Sequence, residues 1–404
     1  PSAAKRHVNV LSVVVATMVA QVASIMGVAV FPVIAPRLAA EMGLSPVWVG
    51  YQVSLIYGSA MLAAPLLNAA IVRWGGCRAT QAGLALNALG LAAALTSNLW
   101  ALMATSILFG MALAVLVPAS AHLLFRFCPP ERRNLVFSLK QTGVPIGWTV
   151  MALAAPAITL AYGWRWSIIL VLLVVLATLA ALQPVRARWD DDRNPQTAAR
   201  QSALAGLVLT WRQPGLRRLA TASFFLSFVQ LCLGSFAVTL LVQEAGYSLV
   251  TAGIMLSLVN VSGVAGRVLW GWYADRMRSG TAVLWKLSML VTLCCILTGF
   301  IAQSTPSFYI AVVFILFGAT AVGWNGVYMA EIARLSPRGQ VSIATSGARV
   351  WNFGGILIGP ALFAAVYGRV GSYALTFAAL AVISASAALL LASGRAARQN
   401  VAVH

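Results

Sequence analysis

Three basic residues fall inside long apolar runs of this sequence: Lys140, Arg267 and Arg349. Arg267 lies eight residues before Asp275 in GVAGRVLWGWYADRMR, residues 263–278. At about 1.5 Å per helical residue its guanidinium sits roughly 12 Å below the charged turn, inside a hydrocarbon core about 30 Å thick. Counted the same way from Arg133 and Arg338, Lys140 and Arg349 reach a similar depth, roughly 10 to 17 Å from one face. A lone cation there costs about 2.5 to 3.5 kcal/mol even on lenient insertion scales, so each needs a polar cavity or a partner. Glu331 is the acid closest to this level; Asp275, Glu131 and Asp190 to Asp192 read as loop residues. Cations so placed are suited to holding an anionic small molecule, with water filling the cavity between occupants.

Each has a plainer reading. The long stem of Lys140 could carry its charge to the membrane surface. Arg349 could bridge Glu331 on an adjacent helix, and Arg267 could be a hydrogen-bonded packing residue. Near Arg349, the run RVWNFGG supplies Trp351, Asn352 and two glycines. Trp324, Asn325, Tyr328, Tyr57, Gln52, Gln21, Gln230 and Asn260 are further lining candidates, although buried amides and tyrosines more often join helices than bind ligands. Glu331 and His122 are the candidates for a proton role. No nucleophile with its base and no acid cluster lies in the apolar runs, which argues against an enzyme. The five cysteines form no CxxC or Cys/His cluster, so they read as small apolar residues, and no cofactor or metal is expected.

The elements that must position these residues follow from composition. The 404 residues are 61% hydrophobic and 9% charged, with a mean hydropathy of +0.89, far from an ordinary soluble domain. The run after Lys5, Arg6 and His7 is too long for a cleavable leader core and reads as a first span. Apolar segments recur at about 8–33, 47–71, 80–97, 100–124, 135–160 and 166–184, then at about 218–243, 250–273, 286–303, 307–332, 341–367 and 372–393. The reading is all-α: twelve transmembrane helices, with a bundle at 1–184, a hydrophilic linker at 185–217 and a second bundle at 218–404. Basic residues crowd one alternate set of loops, which places both termini and the linker in the cytoplasm. That asymmetry accounts for most of the net charge of +19, so nucleic acid is not needed to explain it. The linker, with Asp190, Asp191 and Asp192 among arginines, reads as a solvated connector carrying a short surface helix near 198–210.

The halves repeat. Gly43, Ser45, Val47, Gly50, Ser54, Leu55 and Ser59 recur 203 positions later as Gly246, Ser248, Val250, Gly253, Ser257, Leu258 and Ser262, and Arg73 matches Arg276. Tyr57 and Asn260 stand at matching positions, and the run Ile107 to Gly110 recurs at Ile315 to Gly318. Parallel repeats place a binding site at their interface, near the bilayer midplane.

Twelve spans in two six-helix repeats, with Gly271-x-x-x-Asp275-Arg276 closing the eighth, resemble the major facilitator superfamily over essentially the whole chain. The resemblance implies alternating access, with Asp275, Arg276 and Arg73 gating the cytoplasmic side. In the first half the motif is reduced to Asn68-Ala69-Ala70-Ile71-Val72-Arg73, with asparagine for glycine and valine for aspartate. GRVLWG, residues 266–271, is similar to the eighth helix of the oxalate/formate exchanger and monocarboxylate transporter group. There an arginine engages the substrate carboxylate, and the likeness implies that role for Arg267. KQTGVPIG, residues 140–147, resembles bacterial organic-anion and cyanate-type permeases. Ser106 stands where many proton-coupled members carry arginine. The expected function is secondary active transport of a small organic anion, with proton-coupled efflux of hydrophobic drugs as the alternative. The expected partners are an anionic small molecule and the lipid bilayer, for a monomer in a bacterial inner membrane.

Overall fold

The computed structural model describes residues 9–129, 136, 139–193, 203–337 and 341–401. Lys5, Arg6, His7, Glu131, Arg132, Arg133 and Arg338 lie outside the described residues, as do the side chains of Asn68, Ala69, Ala70, Val72, Arg395 and Arg398. In lipid every backbone N–H and C=O must be satisfied within the chain, which makes the helix the default for apolar runs of this length. The helices are α1 (Val10–Met42), α2 (Trp48–Trp74), α3 (Gly76–Ala94), α4 (Leu99–Phe127), α5 (Gly143–Tyr162), α6 (Trp164–Ala181) and the short α7 (Arg186–Trp189). They continue with α8 (Ala203–Arg212), α9 (Pro214–Gln243), α10 (Leu249–Met277), α11 (Gly280–Thr298), α12 (Ser307–Ala321), α13 (Asn325–Leu335), α14 (Val341–Val370) and α15 (Tyr373–Val401).

Among the described residues ten segments are long and apolar enough to cross a membrane, α12 and α13 forming one of them, Ser307–Leu335. With α2 and α3 they account for the twelve expected spans. α3 is the least apolar of these because it buries polar side chains against protein: Thr80, Gln81 and Asn87 are all buried, and Asn87 donates to Ser24 Oγ at 2.9 Å. Asp275 lies in the last turn of α10, exposed, and not in a loop as its charge suggested.

The repeat is visible in the backbone. Gly43 and Gly246, Gly75 and Arg278, and Gly163 and Gly371 all have positive φ, at the sequence offsets of 203 and 208 that the residue identities show. Gly75 takes φ 92° where Arg278 takes 51°. An arginine held there carries the steric cost that glycine avoids.

The described chain forms two compact units. One comprises Pro1–Val30, Ser59–Trp148 and Arg165–Arg200; the other comprises Phe31–Gly58, Thr149–Trp164 and Gln201–His404. In the first, the start of the linker is docked and not solvated as its composition suggested. Asp190 is 6% exposed and accepts from the backbone N–H groups of Cys77 and Arg78, at 2.7 and 2.9 Å. No side chain from its own N-cap serves α3, so a carboxylate brought from more than a hundred residues away satisfies these orphan donors and meets the positive end of the helix. Trp189 is buried beside it, and Arg126 donates to the Trp189 carbonyl at 2.8 Å while pairing with Asp191 and Asp192. Burial pushes the Asp190 carboxyl above its ordinary range, against the two N–H bonds that pull it down. Asp190→Ala is therefore expected to cost about 1 to 2 kcal/mol and to lower the apparent Tm by a few degrees in a thermal scan. Asp190→Asn, neutral but still an acceptor, loses less. An unchanged Tm in the alanine variant would refute the capping role.

Candidate functional site

In the second unit the span Ser307–Leu335 is broken at Val322, Gly323 and Trp324, between α12 and α13. Small residues allow the break to sit close to α10: a Cβ at Gly266 would overlap the Ala319 carbonyl, and one at Gly263 would overlap Val322. A broken helix frees carbonyls that lipid cannot satisfy. Two are taken by α10, where Trp270 Nε1 donates to Ala319 O at 2.9 Å and Arg267 Nε to Val322 O at 3.3 Å. The packing reading of Arg267 is thus present in part. It uses one of five guanidinium donors, and no carboxylate pairs with Arg267 among the described residues.

The other side of the break is braced by Gln230 of α9, whose Oε1 accepts from Trp324 Nε1 at 3.0 Å and from Asn325 Nδ2 at 3.2 Å. Trp324 is fully buried, with its ring 5.2 Å from that of Tyr328. Both residues are thereby engaged in holding helices together. Arg349 of α14 is within electrostatic range of the Tyr328 hydroxyl, and it makes no ion pair with a described residue. The bridge from Arg349 to Glu331 is not formed. Glu331, 3% exposed, instead takes Arg334 in a forked pair at 2.8 and 2.5 Å and the Thr281 hydroxyl at 2.5 Å. Three residues along the same helix, Arg334 reaches Glu331 more directly than a group on α14 can.

One and two turns up from Arg349, Phe353 and Ile356 pack with Val53, Leu231 and Tyr57; the Tyr57 and Phe353 rings are 5.9 Å apart. Asn352 offers its carbonyl to Ser227 Oγ at 2.9 Å, and Trp351 stacks on Trp211 at 5.5 Å. Asn260 is buried and donates to Leu256 O one turn back in its own helix, at 2.9 Å. Tyr57, Phe353 and Arg349 therefore share a half-buried stripe, whereas Asn260, Trp324 and Asn325 are committed to helix contacts. Asp275, Arg276 and Arg73 are exposed at helix ends, with Arg276 lying 5.9 Å from the Trp272 ring.

In the first unit, Lys140 does not reach for the membrane surface. It is 3% exposed and donates to Gln21 Oε1 at 2.6 Å. Glycines at the start of α5, just after Lys140, make room for this approach, since a Cβ at Gly143 would press on Gln21 and one at Gly147 on Ile25. His122 Nε2 is 2.8 Å from Asp192, half-exposed beside the Arg126 cluster.

The family description "Major Facilitator Superfamily" matches this sequence over residues 17–346. The chain belongs to the major facilitator superfamily. Its members are transporters and not enzymes. An uncharacterized MFS-type transporter of Mycobacterium tuberculosis is 29% identical over 174 residues, 42% of this chain and 37% of that protein. A gallate transporter of Pseudomonas putida is 26% identical over 283 residues, 62% of each. The chain thus matches less than two thirds of the length of either relative. Among solved structures, a peptide transporter POT in complex with sulfate superposes with a TM-score of 0.76 at 15% identity, covering 95% of this chain and 94% of that one. A bacterial homolog of the human lysosomal transporter Spinster, inward-facing and unoccupied, gives 0.76 at 14%, covering 97% of each. At such identities these two share the fold alone.

For this superfamily member, sequence reasoning reached the cations and missed their surroundings. Thr281 drew no notice, Arg334 read only as one of the basic loop residues and Phe353 only as part of RVWNFGG, because a hydroxyl, a helix-end arginine and an aromatic are ordinary in a membrane helix. Gly323 inside an apolar span was the available sign of the break whose carbonyl Arg267 uses.

Proposed function

We propose that this transporter carries a small organic carboxylate by alternating access, with Arg349 and Arg267 as the positive groups that receive it. The observation that carries the reading is the state of Glu331: the one acid at the level of these arginines is consumed by Arg334 and Thr281, and no other carboxylate pairs with either arginine among the described residues. Occluding an uncompensated guanidinium in hydrocarbon costs several kcal/mol, and a bound carboxylate removes that cost. Loading would then favour the closing of the two six-helix halves, 1–184 and 218–404, about the linker 185–217. The half-buried Tyr57, Trp351 and Asn352 belong to the same neighbourhood, and a relative named for gallate fits an organic anion.

Lys140 supplies a separate buried charge in the first unit and is assigned its own contribution to anion uptake. Asp275, Arg276 and Arg73 act in gating at the cytoplasmic side of an inner membrane. Glu331, bound as it is, and His122, half-exposed beside Asp192, are the groups to test for proton movement. The assay is flux of labelled mono- and dicarboxylates into proteoliposomes of the monomeric chain, with and without a pH gradient. Saturable uptake of at least one carboxylate is expected, weakened about tenfold or more by Arg267→Gln and reduced by Lys140→Gln. Absence of carboxylate flux, with transport of a lipophilic cationic dye, would replace this reading by drug efflux.

A further inference from the structure

Within the linker, just before the first span of the second half, lies α8, ten residues reading ALAGLVLTWR. One face is fastened to α14: a Cβ at Gly347 would overlap the Gly206 carbonyl and crowd Thr210 Oγ1, so the two backbones are in direct contact. Trp211 stacks on Trp351 with 3° between the rings. These contacts fix the depth of α8. Gly347 lies in the second turn of α14, and α8 ends two residues before α9 begins at Pro214. α8 therefore sits beside the ends of two candidate spans, where long apolar helices pass from hydrocarbon into the headgroup layer.

The side of α8 turned away from Gly206 and Thr210 suits that layer, with Trp211 at its edge, stacked on Trp351 yet half exposed. Val208 and Trp211 are 47% and 54% exposed, and Arg212 and Arg217 are exposed beside them. The Arg217 guanidinium is 5.5 Å from the Trp211 ring centroid. An apolar residue and an indole flanked by cations is the pattern of a helix lying in the headgroup layer, where the ring meets acyl chains and the arginines meet phosphate.

We propose that the outer face of α8 is a seat for an anionic phospholipid, with Val208 and Trp211 against its acyl chains and Arg212 and Arg217 on its phosphate. The lipid is anionic because both charged groups flanking the exposed indole are guanidinium, whose planar fork suits phosphate oxygens. Through the Trp211–Trp351 stack, the seat is attached to the helix that carries Arg349.

The test uses the full chain in phosphatidylcholine nanodiscs containing phosphatidylglycerol, with either lipid brominated at equal mole fraction. Quenching of Trp211 is read as the difference between the unmodified chain and Trp211→Phe, which separates it from the twelve other tryptophans. Brominated phosphatidylglycerol is expected to quench Trp211 several-fold more than brominated phosphatidylcholine. The preference should fall about fivefold for each of Arg212→Gln and Arg217→Gln, and in the unmodified chain it should fall as salt is raised. Equal quenching by both lipids, or a preference unchanged in the double variant, overturns the proposal. Loss of the preference on adding inorganic phosphate, beyond the loss that sodium chloride causes at the same ionic strength, overturns it too, since the site would then be one for soluble anions.

Discussion

Arg349→Gln is expected to raise the concentration of carboxylate needed for half-maximal uptake by about 10- to 150-fold. A hydrogen-bonded charged group contributes about 1.5 to 3 kcal/mol, and every 1.4 kcal/mol is tenfold. Arg349 makes no ion pair with a described residue, so the loss should fall on the substrate and not on the fold. The apparent Tm of Arg349→Gln should match or exceed that of the unmodified protein, because an uncompensated cation leaves the low-dielectric interior. Arg349→Lys should lie between, keeping the charge and losing the planar fork. The pair of measurements separates two roles. A structural arginine would lower the Tm and leave the uptake constant alone; a binding arginine does the reverse. Uptake in Arg349→Gln indistinguishable from the unmodified protein would remove Arg349 from the site.

Gly355→Ala is expected to be strongly damaging for a single methyl group in the second unit. A Cβ there would overlap the carbonyl of Phe224 and crowd Ser227 Oγ, and backbone cannot move aside as a side-chain tip can. α9 and α14 would have to separate, also disturbing the bond from Ser227 to the Asn352 carbonyl. Overpacking of this kind costs about 1 to 3 kcal/mol or more. The variant should melt several degrees lower and lose most of its uptake, since Arg349, Asn352 and Phe353 ride on the displaced helix. Gly368→Ala supplies the control on the same helix. Nothing lies within 4 Å of a Cβ there, so the exchange should be neutral or stabilising by about 0.5 to 1 kcal/mol. Comparable Tm values for the two variants would show that the close crossing at Gly355 has no energetic consequence.

Much of the positioning was legible before any coordinates. The repeat at offsets of 203 and 208 was a matter of residue identity, and the same offsets return as paired positive-φ turns. RVWNFGG announced a close approach, and Gly355 makes it against α9. The partners were less legible. Arg349 and Glu331 are a plausible pair by depth, yet depth along the bilayer normal says nothing about direction around a helix, and Arg334 takes the carboxylate. Lys140 has a stem long enough to snorkel, but Gln21 on another helix offers an acceptor within 2.6 Å.

What the sequence determined by itself was whatever depends on local apolarity and on repetition: twelve helices, the membrane as solvent, the superfamily, and the presence of cations deep within the spans. These follow because each apolar run must close its own backbone hydrogen bonds in lipid. Only the tertiary structure decided which polar groups answer one another. It took Asp190 out of the linker to cap α3, gave Glu331 to Arg334, and turned the Val322 carbonyl toward Arg267. Each of those contacts joins groups whose separation is set by helix rotation and by a few glycine crossings, and neither is encoded in the hydropathy of a segment.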